Sequence, residues 1–509
     1  MKKRLCIALI SPSKALTSIL DTIGVWYEST PSMPLIPQNY ALLIIEKSNS
    51  TSHRKREIKT FISEGGNVLE ITNQPLYYTN VVSKKHISRL LNSTTSNSFN
   101  RIPFLDIYSK VALSSKNTIL SGLVDIDYKS EYEKIAFIGL DITKLFSSHT
   151  YRRKRFHSPF GQNPDEIVST IQRDAICDLV EITIQQIWIK ENLPFLKKWH
   201  SPTPNPVFAF RIDSDYGTQN SLQKIYDLLT THKLKATWFL HIQAHEEWLD
   251  FFKKFKHQEL ALHGYNHGYS SSSAKIENNI KLGLDLLDKA KIDVEGFCAP
   301  YAIWNKGLSE TLAKFDFLYS SEFTRAYDAL PFHDENEHMQ IPIHPICTGS
   351  FSRIRYKEKE IQKYFLYILK QKMQLWKPVI FYHHPQQFAL SVFDEVFEKV
   401  NESKLTNLTF AEFARFWNTR KSSNIEYVLD GETLSIESDN EDLIVYASTS
   451  LDGFSLITPN TKISLSDITS TFKYDTTSLP SPNEIEKLSE NKLQLKKTSL
   501  LDWKNRFPL

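Results

Sequence analysis

Val207-Phe208-Ala209-Phe210-Arg211-Ile212-Asp213-Ser214-Asp215 is the stretch on which the fold of this chain turns. A largely apolar run is followed at once by two carboxylates, the pattern of a buried strand that delivers polar groups at its carboxyl end. Further strand-like runs follow at Ala236 to Ile242, Leu260 to Leu262, Val294 to Cys298, Gln340 to Ile343 and Val379 to Phe381. Helical periodicity separates them at Ser221 to Thr231, Lys275 to Ala290, Lys306 to Lys314, Lys359 to Leu375 and Phe393 to Val400. Repeated strand-helix alternation over residues 205–420 predicts an α/β unit, a (β/α) barrel that could be incomplete, with its chemistry at the carboxyl ends of the strands.

Ahead of it, Ser201-Pro202-Thr203-Pro204-Asn205-Pro206 cannot continue a helix and reads as a stiff linker. Residues 151–204 are expected to form a helical connector, with Asn163 as cap, Pro164 opening the helix, and Ile167, Ile171, Cys177 and Val180 at helical spacings. Residues 1–150 alternate strand and helix from Leu5 to Ile10 onward and look like a flavodoxin-like or glutamine-amidotransferase-like module. No Gly-x-Cys-x-Gly elbow is present and Cys6 falls inside a strand, so this unit is expected to be non-catalytic. After residue 420, short alternating runs between Ser, Thr, Asp and Asn predict a small β-sandwich over 421–509.

A chain of 509 residues fits about three domains. With 61 basic and 58 acidic residues, the net charge of +3 excludes a polyelectrolyte partner such as nucleic acid. The one dense basic run, Arg152 to Arg155, reads as a solvated loop, with a phosphate contact as the alternative. Cys6, Cys177, Cys298 and Cys347 form no Cys-x-x-Cys pair, so neither a disulfide framework nor a thiolate zinc site is indicated. Leu5 to Ile10 is too short an apolar run for a signal peptide and no stretch is long enough to span a bilayer, so a cytoplasmic protein is expected.

Asp213 and Asp215 lie two apart and share a face in extended backbone, where two carboxylates repel unless an ion or proton intervenes. His263 and His267, four apart with Gly264 and Gly268 between and beside them, can face one ion after the Leu260 to Leu262 strand. One Asp with two His leaves coordination positions open, as a catalytic divalent site requires. A second carboxylate can take a proton from water and a separate imidazole can protonate a leaving nitrogen. Asp213 and His384 can fill those roles.

With these residues in place, the chain resembles the polysaccharide deacetylases with the NodB-homology domain, carbohydrate esterase family 4, over roughly residues 205–420. The resemblance implies Asp213 as base, Asp215 with His263 and His267 as ligands of one divalent ion, zinc foremost with cobalt, nickel or manganese as alternatives. Lys235-Ala236-Thr237-Trp238-Phe239 is similar to the family's second strand and Leu408-Thr409-Phe410-Ala411-Glu412-Phe413 to its closing helix. The family's Arg-x-Pro-Tyr stands here as Cys298-Ala299-Pro300-Tyr301, which implies Tyr301 N–H at the oxyanion and leaves the base without its usual arginine. Arg211, on the face of Asp213, is the expected substitute. Phe381-Tyr382-His383-His384-Pro385 matches the last motif, with His384 favoured over His383 as acid because His-Pro resembles the peptidoglycan-deacetylase-like branch. The family's tryptophan motif has no clear match; Pro300, Tyr301 and Trp304 are expected at the substrate, and His344 is a further candidate.

The activity so implied is metal-dependent removal of N-acetyl groups from an amino sugar in a polysaccharide or its precursor, nucleotide- and lipid-linked precursors included. Two rivals stand beside it: hydrolysis of a non-sugar amide or ester at the same centre, and a carbohydrate-binding or assembly protein whose site has decayed at Cys298.

Overall fold

The computed structural model describes residues 2–46, 52–92, 99–126, 134–352 and 354–490. Its centre is a curled sheet in which Met339–Gln340, Tyr319–Ser320, Gly296–Phe297, Glu259–Leu262, Thr237–Leu240, Val207–Asp213 and Val379–His383 lie side by side, all parallel. Phe332–His333 adds an antiparallel edge, and Thr406–Asn407 pairs with the start of Val207–Asp213. Beyond Met339–Gln340 the chain swings back to the other edge, where His344 N–H donates to the Ile380 carbonyl at 2.9 Å. The parallel strands thus form an irregular (β/α) barrel rather than an open sheet.

The central strand shows why the sequence folds this way. Phe208, Phe210 and Ile212 enter an outer apolar layer with Leu222, Ile225 and Leu229 of the helix Gln219–Thr231 and with Phe393, Val396 and Phe397 of the helix Val392–Glu402. Val207 and Ala209 enter an inner cluster with Phe239, Ala261, Tyr319, Ile341 and Ile380. The two-residue period of a strand therefore carries Arg211 and Asp213 inward, on the face of Ala209.

The N-terminal sheet runs Tyr27–Glu28, Ile7–Ile10, Leu42–Ile45, Val68–Ile71 and Ile135–Ile138 in parallel, with Val124–Asp125 antiparallel at its edge. The strands after residue 420 join two four-stranded antiparallel sheets, and each sheet takes one strand from ahead of the barrel. Lys2–Arg4 pairs with Ile425–Asp430, and Phe195–Lys198 pairs with Val445–Ser448. Ile23, Ile176, Trp188, Tyr427, Tyr446 and Phe454 share one apolar cluster across these parts. Arg420, fully buried, ties the junction by donating to the carbonyls of Trp199, Asp21, Thr22, Ile23 and Lys198.

The connector departs from the sequence expectation. Asp165–Ser169 is a strand, antiparallel to Tyr151–Arg155, and the helix begins only at Arg173 and runs to Lys190. The basic run is not a solvated loop: Arg153 pairs with Asp165 at 2.7 Å, while Lys154, 5% exposed, pairs with Asp106 at 3.0 Å. These cross-strand and buried pairs, with β-branched Ile167 and Val168, outweigh the helix-start signal of Asn163-Pro164. Among the described residues no helix is long and apolar enough to cross a membrane.

Candidate active site

A cavity of about 690 Å³ opens at the carboxyl ends of the barrel strands, lined by Asp213, Asp215, His263, His267, Tyr301 and His384 among others. Each of these follows or ends a strand. Asp213 closes Val207–Asp213, His263 directly follows Glu259–Leu262, and His384 directly follows Val379–His383.

Asp215 and Tyr301 take up left-handed backbone, φ 40° and 61°, unusual for residues with a Cβ and a sign that the surroundings hold them there. For Asp215 the hold is visible: its carbonyl accepts Nδ1–H of His241 at 2.9 Å. Gly264, at φ 86°, brings the His263 loop so close to Asn279 that a Cβ there would stand 2.7 Å from the amide nitrogen.

Ligand atoms of Asp215, His263 and His267 all lie within 4.8 Å of one another. Asp215 Oδ1 is buried without a hydrogen-bond partner, 3.5 Å from His263 Nε2 and 3.2 Å from His267 Nε2. His263 Nδ1 sits 2.8 Å from the Cys298 carbonyl, which can only accept, so the proton is on Nδ1 and the Nε2 lone pair faces the carboxylate. A buried orphan oxygen and a fixed imidazole lone pair converging on one point are what a divalent cation fits.

Arg211 is wholly buried and grips Asp213 through two bonds, Nε to Oδ1 at 2.6 Å and Nη2 to Oδ2 at 2.7 Å. Its Nη1 donates to the Ser321 carbonyl at 2.7 Å, and Nη2 also lies 2.7 Å from Cys298 Sγ. The residue standing where the family motif carries arginine thus touches the guanidinium of Arg211. Burial pushes the Asp213 carboxyl up, but Arg211 above all, with His263 and His384, holds it below its ordinary range. Asp215 is held further below by His384, His263 and His267 against the same burial cost. Burial drives the Cys298 thiol well up.

Of the two histidines in the last motif, His383 is buried, bonds Thr348 Oγ1 through Nδ1 and packs against Phe393. His384 reaches the cavity, its Nε2 3.7 Å from both Asp213 Oδ2 and Asp215 Oδ2. Gln387 lies against it: Oε1 accepts Gly349 N–H at 2.9 Å, and its Nε2 stands 2.8 Å from His384 Nδ1. Burial lowers the His384 pKa, but Asp215, then Cys347 and Asp213, raise it to about 10. Burial raises the Cys347 thiol, but His384 above all brings it down to about 7.

Pro300 and Trp304 are not brought to the cavity. Trp304 is 1% exposed in the outer apolar cluster, and Pro300 lines a separate small cavity with Gly268 and Asn305. His344 is buried against Asp328 and Tyr364, away from the aspartates. Sequence reasoning missed Gln387, Cys347 and Glu166, all of which line the cavity. Gln387 and Cys347 lie outside every motif, and Glu166 falls in the stretch after Asn163-Pro164 where the sequence predicts a helix.

Residues 200–320 match the family described as Polysaccharide deacetylase. No curated protein matches the chain. Similar solved structures include a "probable Polysaccharide deacetylase" from Pseudomonas aeruginosa PAO1, 14% identical, covering 43% of this chain and 93% of that one at a TM-score of 0.38. Peptidoglycan deacetylase PdaC from Bacillus subtilis is 12% identical, with 44% and 96% covered and a TM-score of 0.32. A CE4 family pseudoenzyme from Bacillus anthracis is 17% identical, with 42% and 69% covered and a TM-score of 0.32.

Proposed function

We propose, from the premise that residues 200–320 belong to the polysaccharide deacetylase family, that this protein hydrolyses the amide C–N bond of an N-acetylated amino sugar and releases acetate. The observation that carries the proposal is the convergence of Asp213, Asp215, His263, His267 and His384 on one cavity at the strand ends. Asp215, His263 and His267 would hold a divalent ion, which when bound supplies Lewis acidity toward water and the acetyl carbonyl.

The rest is the work of the chain. Asp213, kept ionised and oriented by the two-bond grip of Arg211, accepts a proton from the attacking water. Tyr301, held at φ 61° on the cavity wall, presents its N–H to the oxygen that gains charge. His384, raised toward its imidazolium form by Asp215, Cys347 and Asp213, donates its Nε2 proton to the departing nitrogen and is left as neutral imidazole. The C–N bond breaks, hydroxyl stays on the acyl carbon as acetate, and the sugar leaves as an amine. The guanidinium of Arg211 beside Cys298 speaks against a site decayed through loss of the motif arginine. The cytoplasmic setting is part of the same proposal, supported by four buried, unpaired cysteines.

Acetate release from N-acetylglucosamine oligomers tests it. Activity should vanish on chelation, return with zinc or cobalt, and fall at least a hundredfold in Asp213→Asn. Full activity after exhaustive chelation, or in Asp213→Asn, overturns the assignment.

A further inference from the structure

Tyr301 and Ala302, both on the cavity wall, hold left-handed backbone in succession, φ 61° and 49°. Two neighbouring residues with a Cβ rarely do so, and the conformation persists only where the surroundings fix it. The surroundings here are Glu322 and Thr324, which lie just beyond residues 200–320, the segment that matches the family.

Glu322 fixes the start of the turn. Its Oε1 accepts the Ala299 N–H at 3.0 Å, and its Oε2 accepts the Ser320 hydroxyl at 2.8 Å. Ser320 Oγ in turn accepts from Gln340 Nε2 at 2.6 Å, and all three side chains are buried. The carboxylate is thereby held from behind while it holds the backbone in front.

Thr324 fixes the end. The Ala302 carbonyl can only accept, so the Thr324 hydroxyl donates to it at 2.8 Å and takes the Trp304 N–H on a lone pair at 2.7 Å. The Thr324 N–H reaches the same carbonyl at 3.3 Å, and the Ala302 N–H returns to the Ala299 carbonyl at 2.8 Å. One hydroxyl, on a side chain 2% exposed, thus bridges the two backbone groups that follow Tyr301. A donor stabilises developing charge only if it is aimed beforehand, because turning it during the reaction would consume the gain.

Resting on the deacetylase reading above, we infer that Thr324, backed by Glu322, is a positioning residue that aims the Tyr301 N–H at the acyl oxygen as charge develops there. It acts through the turn and touches neither the metal ligands nor the departing nitrogen. Its loss is therefore distinguishable from a loss at His384. Proton donation matters for an amine leaving group and little for 4-nitrophenolate, whereas charge gathers on the acyl oxygen in both reactions.

The test compares the wild type, Thr324→Val and Thr324→Ser, all zinc-loaded, on an N-acetylglucosamine trimer and on 4-nitrophenyl acetate. Thr324→Val keeps the shape and removes both bonds of the hydroxyl, so kcat should fall about tenfold or more on both substrates with KM little changed. Zinc affinity, read by competition with a chelating dye, should match the wild type. Thr324→Ser restores the hydroxyl and should recover most of kcat. Thr324→Ala carries the same comparison if Thr324→Val does not fold. An unchanged kcat, a loss confined to the trimer, a loss explained by KM or by weaker zinc binding, or no recovery in Thr324→Ser overturns the positioning role alone. A wild type that cleaves the ester but no acetamido sugar overturns the deacetylase reading, and the role of Thr324 is then decided on the ester. A wild type inert toward both overturns both.

Discussion

Arg211 is the residue on which the site depends most. It is a buried cation whose guanidinium is divided between the Asp213 carboxylate, the carbonyl and hydroxyl of Ser321 and the Cys298 thiol. Removing one partner of such a pair leaves the other charged and dry, at a cost of about 3–5 kcal/mol. Arg211→Met is therefore expected to lower unfolding free energy by about that much, with a large loss of kcat, read by denaturant melts and acetate release. Cys298→Arg in the Arg211→Met background should recover part of both, because the two side chains already touch. No recovery would break the link between these positions. The sequence made this exchange visible, since two-residue spacing alone puts Arg211 on the face of Asp213. It could not make Gln387 visible, because the bond to His384 Nδ1 depends on how the loop after Pro385 folds back.

At the scale of elements, the barrel is closed by side chains as much as by strands. Asp328 pairs with Lys372 of the helix Glu358–Gln374 and with His344 of the closing segment, both at 3.0 Å. Burial raises the Asp328 carboxyl, but Lys372 and then His344 hold it well below the usual range. A depressed native pKa stabilises the fold at every pH above the unfolded carboxylate's value, about 4, and that share is lost as pH falls through the native value. Thermal melts of Asp328→Asn should show their largest deficit against wild type near neutrality and a shrinking one below about pH 4. A deficit that is constant with pH would rule this pairing out as its source. The long helices and core strands of the barrel were legible from periodicity, because their apolar residues recur at 3.6 or 2 positions. The Tyr151 hairpin was not, because ion pairs to Asp106 and Asp165, remote in sequence or across the turn, override a local helix-start signal.

At the scale of the molecule, Arg420 and Gly24 form the knot between the parts. Gly24 caps the helix Lys14–Ile23 at φ 93°, and a Cβ there would fall 2.1 Å from Arg420 Nη2. Gly24→Ala is expected to cost about 1–3 kcal/mol. Calorimetry should then show the N-terminal sheet and the strands after residue 420 still melting in one transition, since they share a core. Two separate transitions would contradict that shared core. Composition beyond residue 420 signalled short strands, but pairing with Lys2–Arg4 and Phe195–Lys198 leaves no local pattern to read.

The pairing of Lys3 with Leu429 also sets a timetable. During synthesis, at about 5–20 residues per second, the first strand must wait roughly 20 to 85 s for its partner to leave the ribosome. Through that interval the backbone groups it offers to Ile425–Asp430 stay unmatched, while the barrel can already close behind it. A strand made late thus completes one made early, and a chain stopped before residue 425 would leave Lys2–Arg4 without its partner.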